Sequence, residues 1–286
     1  MNILLTGSTG YVGNIIKANL GKKHKIIGVN LRSTIDKEST HCDLTDEKAV
    51  LQFSKNIKPD IVIHAAGNKN IEFCEKNQDK AFQINCNTVK NLVKAFANQC
   101  KIIYISTDYV FDGYRGGYEE NDTPNPATMY GKSKYCGEIE GAKLTKNNFV
   151  ILRLSALYDI NATFPKYLIN KLKNNEPIEC FSDVLYSPTY YKDLLKSLEG
   201  IFSYQKLNQT IFHTCGEPIT RYNFAYQFAE IFGFNPKLIQ KTQRGNKDIY
   251  LYPNLSMKNE TTEQILQTKK FKIIEALKDM KKENIL

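Results

Sequence analysis

"NILLTGSTGYVGNIIKANL", residues 2–20, decides how the rest of the chain is read. Its first half is an apolar run of strand length. Val12, Ile15, Ile16 and Leu20 then fall on one face of a helix. Between strand and helix stand Gly7, Gly10 and Gly13, spaced G-x-x-G-x-x-G. Glycine is needed there because the backbone must turn tightly and approach a pyrophosphate. The helix behind it supplies N–H donors and the positive end of its dipole. Three glycines alone carry little meaning, and the strand–turn–helix context supplies it. Gly7, Gly10, Tyr11, Val12 and Gly13 are therefore the expected dinucleotide contacts.

The pattern repeats outward. "KIIGVN" (25–30), "DIVIHAAG" (60–67), "KIIYIST" (101–107) and "FVILRLS" (149–155) read as further strands. Helices fall near 46–56, across Phe82 to Phe96, and over 130–145. Strands alternating with helices imply parallel strands and right-handed crossovers, hence an α/β, Rossmann-type doubly wound parallel sheet. Residues 1–155 are expected to form this dinucleotide-binding domain, with 186–216 returning to it through "TIFHT" (210–214). Residues 156–286 are expected to form a smaller substrate-binding lobe, with helices at 222–232 and 262–282.

At the end of the second strand, where NAD-binding chains place an acid, the sequence reads "VNLRS". Asn30 followed by Arg32 and Ser33 accommodates a 2′-phosphate better than a carboxylate would, so NADP(H) is preferred and NAD(H) allowed. Asp43 and Leu44, in "HCDLTD", are placed for adenine contacts. Ala65, Ala66 and Gly67 end a strand in small residues past which cofactor can run.

Bulk composition narrows the class. The 286 residues carry a formal charge of +9, nearly all from lysine. Aromatics are not interleaved with the basic runs and arginine is scarce, which argues for a solvated lysine face and no nucleic-acid partner. No apolar run approaches the roughly 20 residues of a membrane span, and the N-terminus lacks the core of a secretory signal. The seven cysteines are scattered without a C-x-x-C pair, as expected of free thiols in a reducing compartment. The four histidines are not spaced as ligand pairs, so no metal site is expected. A cytoplasmic protein follows.

Together with "STDYVFDG" (106–113) and "YGKSKYCGE" (130–138), these pieces resemble the extended short-chain dehydrogenase/reductase superfamily. Within it the chain is most similar to the dTDP-4-dehydrorhamnose reductase group, and the likeness continues through "NCNTVKNL" (85–92), "ILRLSALY" (151–158), "SPTYYKDL" (187–194) and "FHTCGEPITRYNFAYQFAEIFG" (212–233). The resemblance makes Thr107, Tyr130 and Lys134 the catalytic set. Positions four apart share a helix face, so Lys134 is expected to lower the Tyr130 pKa and to reach the cofactor ribose. Tyr130 would protonate the alkoxide formed when hydride reaches a sugar ketone. The expected substrate is a nucleotide-linked keto sugar, met by Thr107, Asp108, Tyr109, Ser155 and Ala156.

Departures from related groups refine this. The Asp-Glu pair that related dehydratases carry after the threonine is replaced by Asp108 and Tyr109, and the cysteine of related epimerase-reductases is replaced by Tyr109. Plain ketone reduction remains. Ala156 stands where rhamnose-pathway reductases have a tryptophan, and this chain has none. "GYRGGYEENDTP" (113–124) reads as a flexible flap, with Arg115 facing either a phosphate or solvent. Two other readings stay open: a non-catalytic cofactor-binding subunit, like the one that partners methionine adenosyltransferase, and an NAD-dependent epimerase. A homodimer is compatible with all three.

Overall fold

The computed structural model describes every residue except 32–38, 146–147, 205–208, 246–249 and 285–286. The chain forms two compact units. The first comprises Met1–Phe111, Thr123–Arg153 and Ile201–Phe212; the second comprises Asp112–Asp122, Leu154–Gly200 and His213–Leu286.

The strands β1 (Asn2–Thr6), β2 (Lys25–Asn30), β3 (Ser39–His41), β4 (Ile61–His64), β5 (Lys101–Thr107) and β6 (Phe149–Leu154) come first. Short strands follow: β7 (Leu157–Tyr158), β8 (Ile178–Phe181), β9 (Leu185–Tyr186) and β10 (Thr189–Tyr190). The chain ends with β11 (Ile211–Thr214), β12 (Ile219–Thr220) and β13 (Ile239–Thr242). Seven of them make one sheet in the order β11-β6-β5-β4-β1-β2-β3. The pairs β1–β2, β1–β4, β2–β3 and β4–β5 are parallel. Strand order reverses between β1 and β4, with β2 and β3 added on one side and β4 and β5 on the other, the switch point at which open α/β sheets bind ligands.

The helices of the first unit are α1 (Tyr11–Leu20), α2 (Glu47–Ser54), α3 (Ile71–Lys76), α4 (Gln78–Phe82), α5 (Thr88–Phe96) and α6 (Met129–Leu144). Strands buried along their length, such as β4 and β6, read as continuous apolar runs because both faces are covered. Leu4, Val29, Val62, Ile102 and Ile151 from the strands pack with Val89, Leu92, Val93 and Phe96 of α5. Each such side chain contributes roughly 1.5–3 kcal/mol on burial. The helix expected from Phe82 to Phe96 is interrupted by a π-helical turn at Gln83–Asn87. An inserted residue of this kind puts the faces on its two sides out of step, so Ala81 and not Phe82 is the buried residue ahead of it.

That turn also overturns the expectation that all seven cysteines are free. Packing of the turn on α6 brings the Cα atoms of Cys86 and Cys136 to 5.5 Å, and the two are joined as a disulfide. Cys42, Cys74, Cys100, Cys180 and Cys215 are buried and take no part in a disulfide.

In the second unit β7 pairs with β10, β9 with β12 and β8 with β13. Helices α7 (Thr163–Lys173), α8 (Tyr191–Ser203) and α9 (Arg221–Phe232) are followed by α10 (Glu260–Leu266) and α11 (Ile273–Glu283). The face of α9 expected from spacing, Ala225, Phe228, Ala229 and Phe232, is buried. The single helix expected over 262–282 is two, because Gln267 takes a left-handed conformation (φ 52°) that ends α10.

Residues 113–124 are no flexible flap. Tyr118 N–H donates to the Ser256 carbonyl (3.0 Å) and Lys258 N–H to the Tyr118 carbonyl (2.8 Å). Glu120, only 2% exposed, accepts from the Thr262 hydroxyl at 2.6 Å. Its string of polar letters concealed partners some 140 residues later in the chain. Arg115 pairs with Asp122 and lies over the Tyr118 ring.

Candidate active site

The glycine loop is built by collision avoidance. Gly7 has φ +67°, and a Cβ there would stand 2.8 Å from Ala66 Cα. The loops after β1 and β4 therefore touch at the switch point, with Gly7 against the backbone of Ala65 and Ala66. A Cβ on Gly13 would strike the Gly7 carbonyl. Gly10 caps α1 without a side chain, leaving the helix's amino end uncovered by any capping group. Such a cradle fits the pyrophosphate of a dinucleotide. Tyr11 and Val12 begin α1 and are half-buried.

Asn30 ends β2, and its side chain braces this loop. Its Oδ1 accepts from Thr9 N–H (3.2 Å) and the Thr9 hydroxyl (3.1 Å), while Nδ2 donates to Ser8 Oγ (2.9 Å). Arg32 and Ser33 lie outside the described residues. Asp43 accepts from Thr45 N–H at 2.9 Å to form the turn after β3. Leu44 is a core residue, 8% exposed, and its carbonyl accepts from Asn91. Its side chain is therefore spent on packing.

His64 ends β4, fully enclosed. Thr88 donates its own proton to the Ile84 carbonyl at 2.7 Å, so the His64 Nε2 at 3.1 Å must donate to it and Nδ1 must accept from Thr6 at 2.7 Å. Burial first, and the Lys134 charge second, hold its pKa down to about 3. A neutral histidine thus locks the ends of β1 and β4 to α5.

Thr107, the last residue of β5, is 6% exposed. It donates to Asp108 Oδ1 (3.1 Å) and accepts from Tyr109 N–H (3.3 Å). Thr128 caps α6 by accepting from Gly131 N–H at 3.0 Å, which places Tyr130 and Lys134 on its first turns. The Tyr130 ring meets Tyr109 edge-on at 5.8 Å. Burial raises the Tyr130 pKa above its ordinary value; a hydrogen bond with Thr107 opposes this, and Asp108 adds to it. Thr107, Asp108, Tyr109, Tyr130 and Lys134 are all carried by the first unit.

The expected lowering of Tyr130 by Lys134 is not seen. Lys134 Nζ donates to the Ile105 carbonyl at 2.7 Å and sits 4.0 Å from the Tyr104 ring centre. Only 6% exposed, it is desolvated, and its own pKa falls to about 7 with Glu138 opposing the fall. Shared helix spacing put both residues on one side of α6, but the ammonium is engaged elsewhere.

Several residues around this set escaped the sequence reading. Asn85, in the π-turn and fully buried, accepts from Asn68 N–H (2.8 Å) and donates to Ser133 (3.0 Å). Its carbonyl accepts from Tyr104 (3.0 Å). Beneath Lys134, Glu138 accepts from Ser106 (2.5 Å) and from both Nε (3.0 Å) and Nη2 (2.7 Å) of Arg153. All three are at most 5% exposed. This pin joins β5, α6 and β6 directly under the catalytic candidates. Ser155 and Ala156 belong to the second unit, where their carbonyls accept from the Thr189 side chain (3.3 Å) and N–H (3.0 Å).

A glycine-cradled switch point, with a threonine at the end of β5 and a tyrosine and lysine on α6, defines an extended short-chain dehydrogenase/reductase. The RmlD substrate binding domain family matches residues 1–284, and the chain belongs to it. It is 29% identical over 78% of its length to the dTDP-4-dehydrorhamnose reductase of Aggregatibacter actinomycetemcomitans, covering 76% of that protein. It is also 29% identical to the methionine adenosyltransferase 2 subunit beta of Bos taurus, over 80% of this chain and 72% of that one. The crystal structure of dTDP-4-dehydrorhamnose reductase from Bacillus anthracis, in complex with NADP, superposes with a TM-score of 0.86 at 26% identity, covering 99% of each chain.

Proposed function

We propose that this protein is an NADP(H)-dependent reductase of the 4-keto group of a nucleotide-linked deoxysugar, with NAD(H) as a possible substitute. The observation that carries the reading is the hydrogen bond between Tyr130 on α6 and Thr107 at the carboxyl end of β5, with the buried Lys134 one turn further along α6. Relatives named as dTDP-4-dehydrorhamnose reductases support the substrate class. A reduced nicotinamide held at Gly7, Gly10 and Gly13 supplies hydride. Thr107 orients the carbonyl oxygen, Tyr130 delivers its proton there as charge develops, and Lys134, half-charged near neutrality, is poised to take up a proton beside an anionic cofactor. Asp108 and Tyr109 flank the reacting sugar, and the second unit, with Ser155 and Ala156, acts as the substrate-binding lobe. The reading includes a cytoplasmic homodimer.

The likeness to the methionine adenosyltransferase beta subunits supports a second reading, a cofactor-binding regulatory subunit. Turnover separates them: NADPH absorbance is followed with dTDP-, UDP-, GDP- and CDP-linked 4-keto sugars. The expected result is stoichiometric NADPH consumption with at least one sugar, abolished by Tyr130→Phe with cofactor affinity kept. Binding of NADPH without turnover of any of them would favour the regulatory reading. Near-normal rates in Tyr130→Phe would remove the proposed proton donor.

A further inference from the structure

In the second unit, one arginine is held by rings instead of carboxylates. Arg221 opens α9, and its Cζ lies 4.4 Å from the ring centre of Tyr186 and 4.9 Å from that of Phe164. Arg115 and Arg153 each pair with a carboxylate and Arg244 donates to the Leu251 carbonyl. Among the described residues Arg221 has no such acceptor. Its five N–H donors are thus oriented by two aromatic faces and uncommitted to any other described residue.

The position is costly for a cation unless an anion comes to it. The first turn of a helix is the positive end of its dipole, where carboxylates belong. The first turn of α9 contains no acid, and neither does that of α7. Phe164 lies in that first turn of α7, and Ala162 gives α7 no side-chain cap. Among the described residues, two helix amino ends and a guanidinium therefore share one place without a balancing charge. Tyr186, paired across β9–β12 with Ile219, is only 7% exposed, so the ring that orients Arg221 is fixed.

We propose that Arg221 is the recognition residue for the diphosphate of a nucleoside diphosphate, with Phe164 and Tyr186 setting the plane of its fork. This rests on the reading of the substrate as a nucleotide-linked sugar and assigns its diphosphate a residue. Planar N–H donors match phosphate oxygens bidentately, which a lysine does not reproduce.

The test is calorimetric titration of the full chain with dTDP, UDP, GDP and CDP, with the matching nucleosides and NADPH as separate titrants. Arg221→Gln is expected to weaken the preferred nucleoside diphosphate by roughly tenfold to a hundredfold, the range of a lost charge-assisted pair. Nucleoside and NADPH affinity are expected to stay within about twofold. Arg221→Lys keeps the charge without the fork and should fall between. It serves as the second variant if the glutamine form unfolds. Equal diphosphate affinity in the original protein and in either folded variant would overturn the proposal while leaving the substrate class standing. No binding of any nucleoside diphosphate to a protein that binds NADPH would overturn both.

Discussion

Replacing Lys134 by methionine tests the placement of the buried ammonium in the candidate site. Its pKa is lowered from 10.5 to about 7, so between those values the unfolded chain holds a proton that the folded one has released. Stability then rises with pH across this window, the direction required when the unfolded state binds more protons. At pH 7 the folded amine is half-protonated, and by pH 9 the difference approaches a whole proton. At about 1.4 kcal/mol per unit, the gain over two units is about 2 kcal/mol. Urea unfolding of the original protein and Lys134→Met at pH 7 and pH 9 isolates this contribution, since other titrating groups are common to both. The original protein should gain about 2 kcal/mol more than the variant. Parallel gains would refute the reasoning: Lys134 would then be solvated, and its hydrogen bond to Ile105 would not describe the protein.

Two further outcomes follow from the same unit. Glu138→Gln leaves Arg153, 1% exposed, without its counter-charge, and should destabilise by about 3–5 kcal/mol in urea unfolding. A loss below about 1 kcal/mol would show that water reaches the pair. Gly13→Ala places a methyl against the Gly7 carbonyl, so NADPH affinity by fluorescence titration should fall at least tenfold, with a stability loss of about 1–3 kcal/mol. Unchanged affinity would remove the glycine loop from the cofactor site.

What the sequence disclosed, and what it hid, divides by the range of the interactions. The glycine loop, the strand at 101–107 and the Tyr130–Lys134 spacing are local patterns, and periodicity exposes them. Glu138 sits in "YCGEIE", where a glutamate on a helix reads as solvent-facing; only the fold brings Ser106 and Arg153 to it. The π-turn at Gln83–Asn87 swings Asn85 inward, and no residue type marks such a turn in advance. Lys134 was placed on the right side of its helix, yet its partner is a carbonyl, and backbone acceptors leave no trace in a sequence. The same is true of the second helix boundary at Gln267, where a non-glycine residue adopts a conformation that glycine usually marks.

The path of residues 112–122 has a consequence for recombination. The chain crosses between its two units at five points, and this excursion is the shortest. Glu120 depends on Thr262, Tyr118 on Ser256 and Lys258, and Gly113 on Asn254. A gene cut near codon 155 would therefore hand one product eleven residues whose bonding partners are encoded in the other. Exchanging everything after that point with a relative would set a foreign side chain against the buried Glu120 carboxylate. Chimeras that move 112–122 together with 250–262 keep each inherited pair from a single parent, so the crossover that conserves this protein's chemistry is discontinuous in the gene.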